Sequence, residues 1–341
     1  MTQAFDPSRI MQIGTGYWAS KTLLTAVELG VFTQLGQGSL TGPELGKRME
    51  LHPRTIYDFF DSLVALGLLE REGDGPTGRY RNTPETKALL DRNSPDYMGG
   101  ILEMFNSRLY RFWGDLSEAL RTGEAQSEIK HTGKSMYTEL FSDPERLEQF
   151  TRAMSGISRR NFVAFAEKFD LSRYRTLCDV GGSSAELSIS VAQRHPHLAC
   201  VSFDLPVLKP IAQRAIDRAG LTGRITPVGG DFLHEPLPKA DVITMGMILH
   251  NWSLEKRKHL IRLAYEALPE DGAFVAIEHF IDDARRQNAF GLLMSLTMLI
   301  EFGDASDFTG ADFRGWCSEA GFRRFETIAL TDPGAAVVAY K

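Results

Sequence analysis

The chain has 341 residues, 43% hydrophobic and 24% charged, with a net charge of −6 at pH 7. These figures describe a globular protein with room for two or three domains, and the acidic balance argues against nucleic-acid binding by general phosphate neutralisation. Cys178, Cys200 and Cys317 form no CxxC pair, no apolar run suits a membrane span, and Met1 to Arg9 lacks a signal-peptide pattern, so the expectation is a cytoplasmic protein without a thiolate metal site.

The chain opens with a helical reading from Pro7 to about Leu35, punctuated by Gly30. Thr41 with Glu44 three residues on, and Pro43 between them, is a capping box that starts a second helix. His52-Pro53-Arg54 starts a third, running to Leu66, with Ile56, Phe59, Phe60, Leu63 and Leu66 on its apolar side. The stretches around Leu68–Arg71 and Gly78–Asn82 flank a Gly/Pro-rich turn and read as a hairpin. Helix, turn, helix and hairpin make a winged-helix pattern. Its would-be recognition helix carries Tyr57, Asp58, Phe59, Phe60 and Asp61 rather than the Arg, Lys, Asn or Gln that read a groove. Dimerisation is therefore expected of residues 1–95, not DNA binding.

Residues 96–170 read as all-helical, with a recurrent aromatic and Met content that includes Met136, Tyr137, Phe162 and Phe165. Such a stripe is usually core. Apolar pockets favour domain junctions, so a minority of these residues is expected to line a substrate.

From residue 171 on, strand and helix alternate, the pattern of a doubly wound α/β domain. Its first unit is strand Thr176–Val180, turn Gly181-Gly182-Ser183-Ser184, helix from Glu186 to Arg194, and strand Cys200–Phe203 ending at Asp204. A glycine turn allows close approach of a ligand, the helix offers free N–H groups, and an acidic residue ending the second strand suits a ribose. Further strands are expected at Ile225–Val228, followed by Asp231 and Phe232, at Asp241–Met245, followed by His250, and at Ala273–Ile277, followed by Glu278. Asp204, Asp231, His250 and Glu278 thus converge on the carboxyl edge of one sheet, where open α/β sheets bind ligands. A carboxylate beside His250 would set its tautomer and leave the other ring nitrogen as a base for a phenol-like hydroxyl, whose pKa is about 10. One histidine with dispersed carboxylates is not a usual metal-ligand set, so no metal is expected.

With Asp179-Val180-Gly181-Gly182, Phe203-Asp204-Leu205-Pro206, Gly229-Gly230-Asp231-Phe232, Ile248-Leu249-His250-Asn251-Trp252-Ser253, Tyr265-Glu266-Ala267-Leu268-Pro269 and Ala320-Gly321-Phe322 in this order, the chain resembles the S-adenosylmethionine-dependent small-molecule O-methyltransferases. That family includes plant caffeate-type and bacterial polyketide and antibiotic tailoring enzymes. The resemblance implies a winged-helix dimerisation domain ahead of a Rossmann-like catalytic domain at 171–341, a homodimer, S-adenosyl-L-methionine as cofactor and a small aromatic acceptor. By position it implies Gly181 against the cofactor, Asp204 on the ribose, Asp231 and Phe232 around the adenine, and Ser158 near the methionine carboxylate. It also implies His250 as the base, Glu278 as its orienting partner and Asp307 as a second acidic partner, one methylene shorter than in the family. The chain departs from the family at Ser183 and Ala185, where further glycines are usual, at Gly246, where a lysine is common, and at Asn251, where Asp is frequent. Other readings are the same fold running N- or C-methylation or non-methyl-transfer chemistry, a nicotinamide-dependent oxidoreductase using the same βαβ unit, and a winged-helix regulator.

Overall fold

In the computed structural model, which describes residues 5–134, 140–141 and 143–341, the chain divides into two units, Met1–Arg111 and Phe112–Lys341. Met136 and Tyr137 lie outside the described residues.

In the first unit the opening helix is broken twice, into Ser8–Gly14, Gly16–Glu28 and Val31–Gln34. The second break is at Gly30, whose φ of 72° a residue with a Cβ adopts only at a cost. Thr41 and Glu44 form the capping box at the start of helix Gly42–Arg48, the Glu44 carboxylate accepting the Thr41 N–H at 2.8 Å. Helix Ile56–Ala65 buries Ile56, Phe60 and Leu63. Strands β1 (Leu40–Thr41), β2 (Leu69–Glu72) and β3 (Arg79–Asn82) form an antiparallel sheet in the order β1-β3-β2. The two-residue β1 had no sequence signal, because strands that short carry no periodicity. On helix Ile56–Ala65, the Asp61 carboxylate accepts from the Tyr80 hydroxyl at 2.7 Å and from Arg71 at 2.6 Å. Asp61 thus ties this helix to its own hairpin, while Asp58 pairs with Arg54 at 2.9 Å.

The second unit holds β4 (Thr176–Val180), β5 (Ala199–Asp204), β6 (Ile225–Gly229), β7 (Val242–Gly246), β8 (Ala273–Glu278), β9 (Arg324–Ala329) and β10 (Ala335–Tyr340), in the order β6-β5-β4-β7-β8-β10-β9. The first five are parallel, and β10 pairs antiparallel with both β8 and β9. Strand residues alternate between two separate cores. Leu177, Ala273, Val275 and Ile277 face one, together with Phe165, while Cys178, Val180, Phe274 and Ala276 face the other. Both faces are therefore covered by helices, which is why these strands read as nearly continuous apolar runs. Phe162 and Phe165 of the aromatic stripe are part of the first core. No described helix is long and apolar enough to cross a membrane.

Sheet order decides which strand ends meet. The parallel strands bring β5, β4, β7 and β8 side by side, so their carboxyl ends share one edge although they come from residues far apart in the chain.

Candidate active site

The turn after β4 is shaped by the protein's own backbone and side chains. Gly181 has a φ of 74°, and a Cβ there would lie 2.2 Å from Cδ1 of Ile248. A Cβ on Gly182 would lie 2.2 Å from the Ser202 hydroxyl. The Gly181 N–H donates to the Phe203 carbonyl at 2.8 Å, and the Ser183 N–H to Oδ2 of Asp204 at 2.8 Å. Oδ1 of Asp204 accepts the Leu205 N–H at 2.7 Å. One N–H on each oxygen leaves about two of the carboxylate's four lone-pair sites free, which suits a vicinal diol. Burial raises the Asp204 carboxyl to about 6, the two N–H donors opposing the rise.

A pyrophosphate would fare poorly at this helix. The first residue of helix Glu186–Arg194 is a carboxylate, paired with Arg159 at 3.3 Å. The positive end of the helix is thus answered from within, and an anion placed there would meet Glu186. The site fits a cationic adenosyl compound better than a dinucleotide.

Two polar groups near this turn were not anticipated. Asp179 on β4 lies in register with Ser202 of β5 and Thr244 of β7, and accepts the Thr244 hydroxyl at 3.0 Å. Full burial lifts its carboxyl to about 7. The Ser184 hydroxyl meets that of Ser155 on helix Pro144–Lys168. Ser158, the serine expected near the cofactor, lies three residues further along the same helix and is half-buried.

At β6 the expected residues are placed differently from one another. Oδ1 of Asp231 caps its own turn by accepting the Leu233 N–H at 2.9 Å. Phe232 is buried and meets Trp252 edge-on, ring centres 6.1 Å apart. Its ring is part of the core beneath the edge. Gly230 joins this corner to Asp204, its N–H donating to the Asp204 carbonyl at 2.9 Å.

On the other side of β4 the edge changes character. His250 does not end β7. That strand stops at Gly246, Met247 takes a φ of 57°, and His250 sits on a short 3-10 turn, Leu249–Asn251. The turn folds His250 back over the end of β8. Its Nδ1 lies 3.3 Å from Oδ1 of Asp307 and 3.9 Å from Oε2 of Glu278, with all three side chains buried. Asp307, the acidic residue from the loop after helix Ala289–Phe302, is the nearer of the two. The other oxygen of Glu278 accepts the Leu249 N–H at 3.0 Å and so holds the histidine turn itself. Burial alone would lower the His250 pKa, but Glu278 and then Asp307 pull it up to about 9. Burial raises Glu278 to about 7.

Among the described residues this is the one group of three acidic or imidazole side chains whose ligand atoms fall within 4.8 Å of one another. Its charge pattern is that of an imidazolium between carboxylates. A fourth charge, the buried guanidinium of Arg257, lies within reach of both acids and would oppose a divalent cation.

Residues 113–323 match the O-methyltransferase domain, and residues 11–92 match the O-methyltransferase dimerisation domain. The chain is 37% identical over 340 residues to the tetracenomycin polyketide synthesis 8-O-methyl transferase of Streptomyces glaucescens, covering 100% of this chain and 98% of that protein. It is 37% identical over 314 residues to an N,N-dimethyltransferase of Streptomyces rimosus, covering 92% and 90%. The crystal structure of human N-acetylserotonin methyltransferase in complex with S-adenosylmethionine superposes with a TM-score of 0.91 at 27% identity, covering 100% of this chain and 99% of that one.

Proposed function

The chain belongs to the S-adenosylmethionine-dependent O-methyltransferase family and acts on small molecules, and we propose that its acceptor is a phenol-like hydroxyl of a small aromatic compound, deprotonated by His250. The observation that carries this reading is the buried His250 Nδ1 facing two carboxylates at the carboxyl edge of the sheet. Nδ1 held toward the acids leaves Nε2 as the atom to take the acceptor's proton. The imidazolium that forms stays paired with Asp307 and Glu278, so the charge it acquires is met by charges already in place.

The cofactor supplies an electrophilic methyl group on a sulfonium. On this reading Gly181 and Gly182 give the backbone its close approach, and Asp204 accepts the two ribose hydroxyls with its free lone pairs. Asp231, Phe232 and Ser158 belong to the same proposal: Asp231 and Phe232 toward the adenine, Phe232 through the firmness of the corner it packs beneath, and Ser158 beside the turn. Burial of the cluster excludes water from the base, and in-line placement of the acceptor oxygen does the rest.

The same reading takes the protein as a homodimer through its dimerisation domain. Ile10, Met11, Ile13, Tyr17 and Trp18 project into solvent from the first two helices and are all more than half exposed. An apolar patch of that size favours a partner surface. Light scattering reporting a monomer at micromolar concentration would remove this part of the proposal.

The N,N-dimethyltransferase relative favours a second reading, methylation of an amine. A neutral amine carries its own lone pair and needs no base before attack, so the two readings separate by experiment. The protein is incubated with isotopically labelled S-adenosylmethionine and matched phenol and aniline panels, and products are read by mass spectrometry. Label on phenolic oxygen that depends on His250 supports the first reading; label on nitrogen alone, indifferent to His250→Ala, overturns it.

A further inference from the structure

Arg257 is a cation in a place where the helix pattern calls for an apolar residue. Helix Leu254–Ala267 buries Leu260, Ile261, Ala264 and Ala267, and Arg257 lies on that same face, 3% exposed. Its Nε donates to the Leu249 carbonyl at 2.9 Å. One terminal nitrogen donates to the Ser306 hydroxyl at 3.0 Å and to the Ser306 carbonyl. The guanidinium lies over the rings of Phe308 at 5.1 Å and Trp316 at 5.6 Å. Leu249 immediately precedes His250, and Ser306 immediately precedes Asp307. Both backbone polar groups of Leu249 are thus held, its N–H by Glu278 and its carbonyl by Arg257.

We propose that Arg257 is a positioning residue for methyl transfer: its guanidinium ties the turn carrying His250 to the loop carrying Asp307 and so sets the spacing at which the imidazole meets its carboxylate. This rests on His250 being the base. The planar fork is what allows it, since two nitrogens at fixed separation reach two backbone segments at once. A lysine ammonium in the same place has one nitrogen and spans only one of them.

The groups facing His250 are Glu278 and His279 from the end of β8, Asp307 from the loop, and Arg257 from its helix. Of these, Arg257 opposes protonation of His250. Loss of the guanidinium charge therefore pushes the rising limb of the pH–rate profile toward higher pH, whereas a lysine keeps the charge but lets Asp307 draw away from the imidazole, which moves that limb to lower pH. This separates the charge of Arg257 from its reach.

The test compares Arg257→Lys, Arg257→Met and His250→Ala, alone and combined, in the full-length protein. Arg257→Met keeps much of the packing against Phe308 and Trp316 but removes charge and donors. The expected result is a fall in kcat of about 10- to 100-fold for Arg257→Met, part of the 10²–10⁴-fold attributable to a general base, with S-adenosylhomocysteine affinity unchanged and the pH limb lying above that of Arg257→Lys. Arg257→Lys lowers kcat and moves the limb to lower pH, because a more distant Asp307 holds up the imidazolium less. Neither substitution costs further activity on the His250→Ala background, because the spacing it sets no longer serves a base. Wild-type kcat in Arg257→Lys and Arg257→Met while His250→Ala is impaired overturns the positioning role and leaves the base intact. An unimpaired His250→Ala overturns the base reading instead, and the positioning role with it. If Arg257→Met does not fold, Arg257→Lys decides: a lowered kcat with the limb moved to lower pH supports the proposal, and a wild-type kcat or a lowered kcat with an unmoved limb overturns it.

Discussion

The two halves of the carboxyl edge are built from different materials. At β4 and β5 the site is mostly backbone: a left-handed glycine, N–H groups aimed at one carboxylate, and a short contiguous run of chain from Asp179 to Leu205. At β7 and β8 it is mostly buried charge, with His250, Arg257, Glu278 and Asp307 contributed by four separate segments. A backbone cradle is set by local conformation and tolerates changes that leave the path of the chain intact. A buried ionic cluster depends on every member, because removing one leaves the others unpaired in a low-dielectric site. Substitutions should therefore act on chemistry in one half and on cofactor affinity in the other, with little crossover.

The largest effect is expected at the ionic half. His250→Ala should lower kcat by about 10²–10⁴-fold and leave S-adenosylhomocysteine affinity as it was, by steady-state kinetics and calorimetry. On the proposed reading His250 must be neutral to act, and its pKa is held up to about 9, so kcat/KM of the wild type should climb as pH rises through that value. Glu278→Gln or Asp307→Asn each remove a charge that favours the imidazolium, and should draw the limb to lower pH. A limb that ignores all three substitutions assigns the titration to another group.

A smaller effect belongs to the cradle. Asp204→Ala should weaken S-adenosylhomocysteine binding by about 1.5–3 kcal/mol, the range for hydrogen bonds to a charged group, with kcat at saturating cofactor nearly unchanged. Because the Asp204 carboxyl is raised to about 6, wild-type affinity should fall as pH drops below 6, by up to about tenfold per unit for one linked proton. Affinity that is flat from pH 7 to pH 5 would take Asp204 out of the ribose contact.

The smallest effect tests the chain's departure from a glycine-rich turn. Ser183 and Ala185 hold φ values of 49° and 64°, a region that costs a residue with a side chain about 1–3 kcal/mol. Ser183→Gly should relieve this with little lost packing and stabilise the protein by up to about 1 kcal/mol. Ala185 is fully buried, so Ala185→Gly also loses a methyl worth about 0.8 kcal/mol and should come out near neutral. Thermal unfolding of the two variants side by side checks the ranking; an equal gain from both would mean that strain, not burial, decides at Ala185.

Local pattern by itself determined most of the architecture. The βαβ unit at 176–204 and the Thr41–Glu44 capping box are both written in periodicity, glycine placement and short-range side-chain chemistry. Asp204 is legible as an acid ending a strand next to its own turn, and His250 and Glu278 as polar residues that each follow an apolar run. Only the tertiary structure decided how these meet. Sheet order set β7 against β8, the 3-10 turn carried His250 beyond its strand end, and a loop far along the chain brought Asp307 closer to the imidazole than Glu278. Arg257 left one legible trace, a charge on the buried face of an amphipathic helix. Such a residue reads as surface until its partners are known, because a buried cation is stable only through carbonyls and carboxylates contributed from elsewhere in the fold.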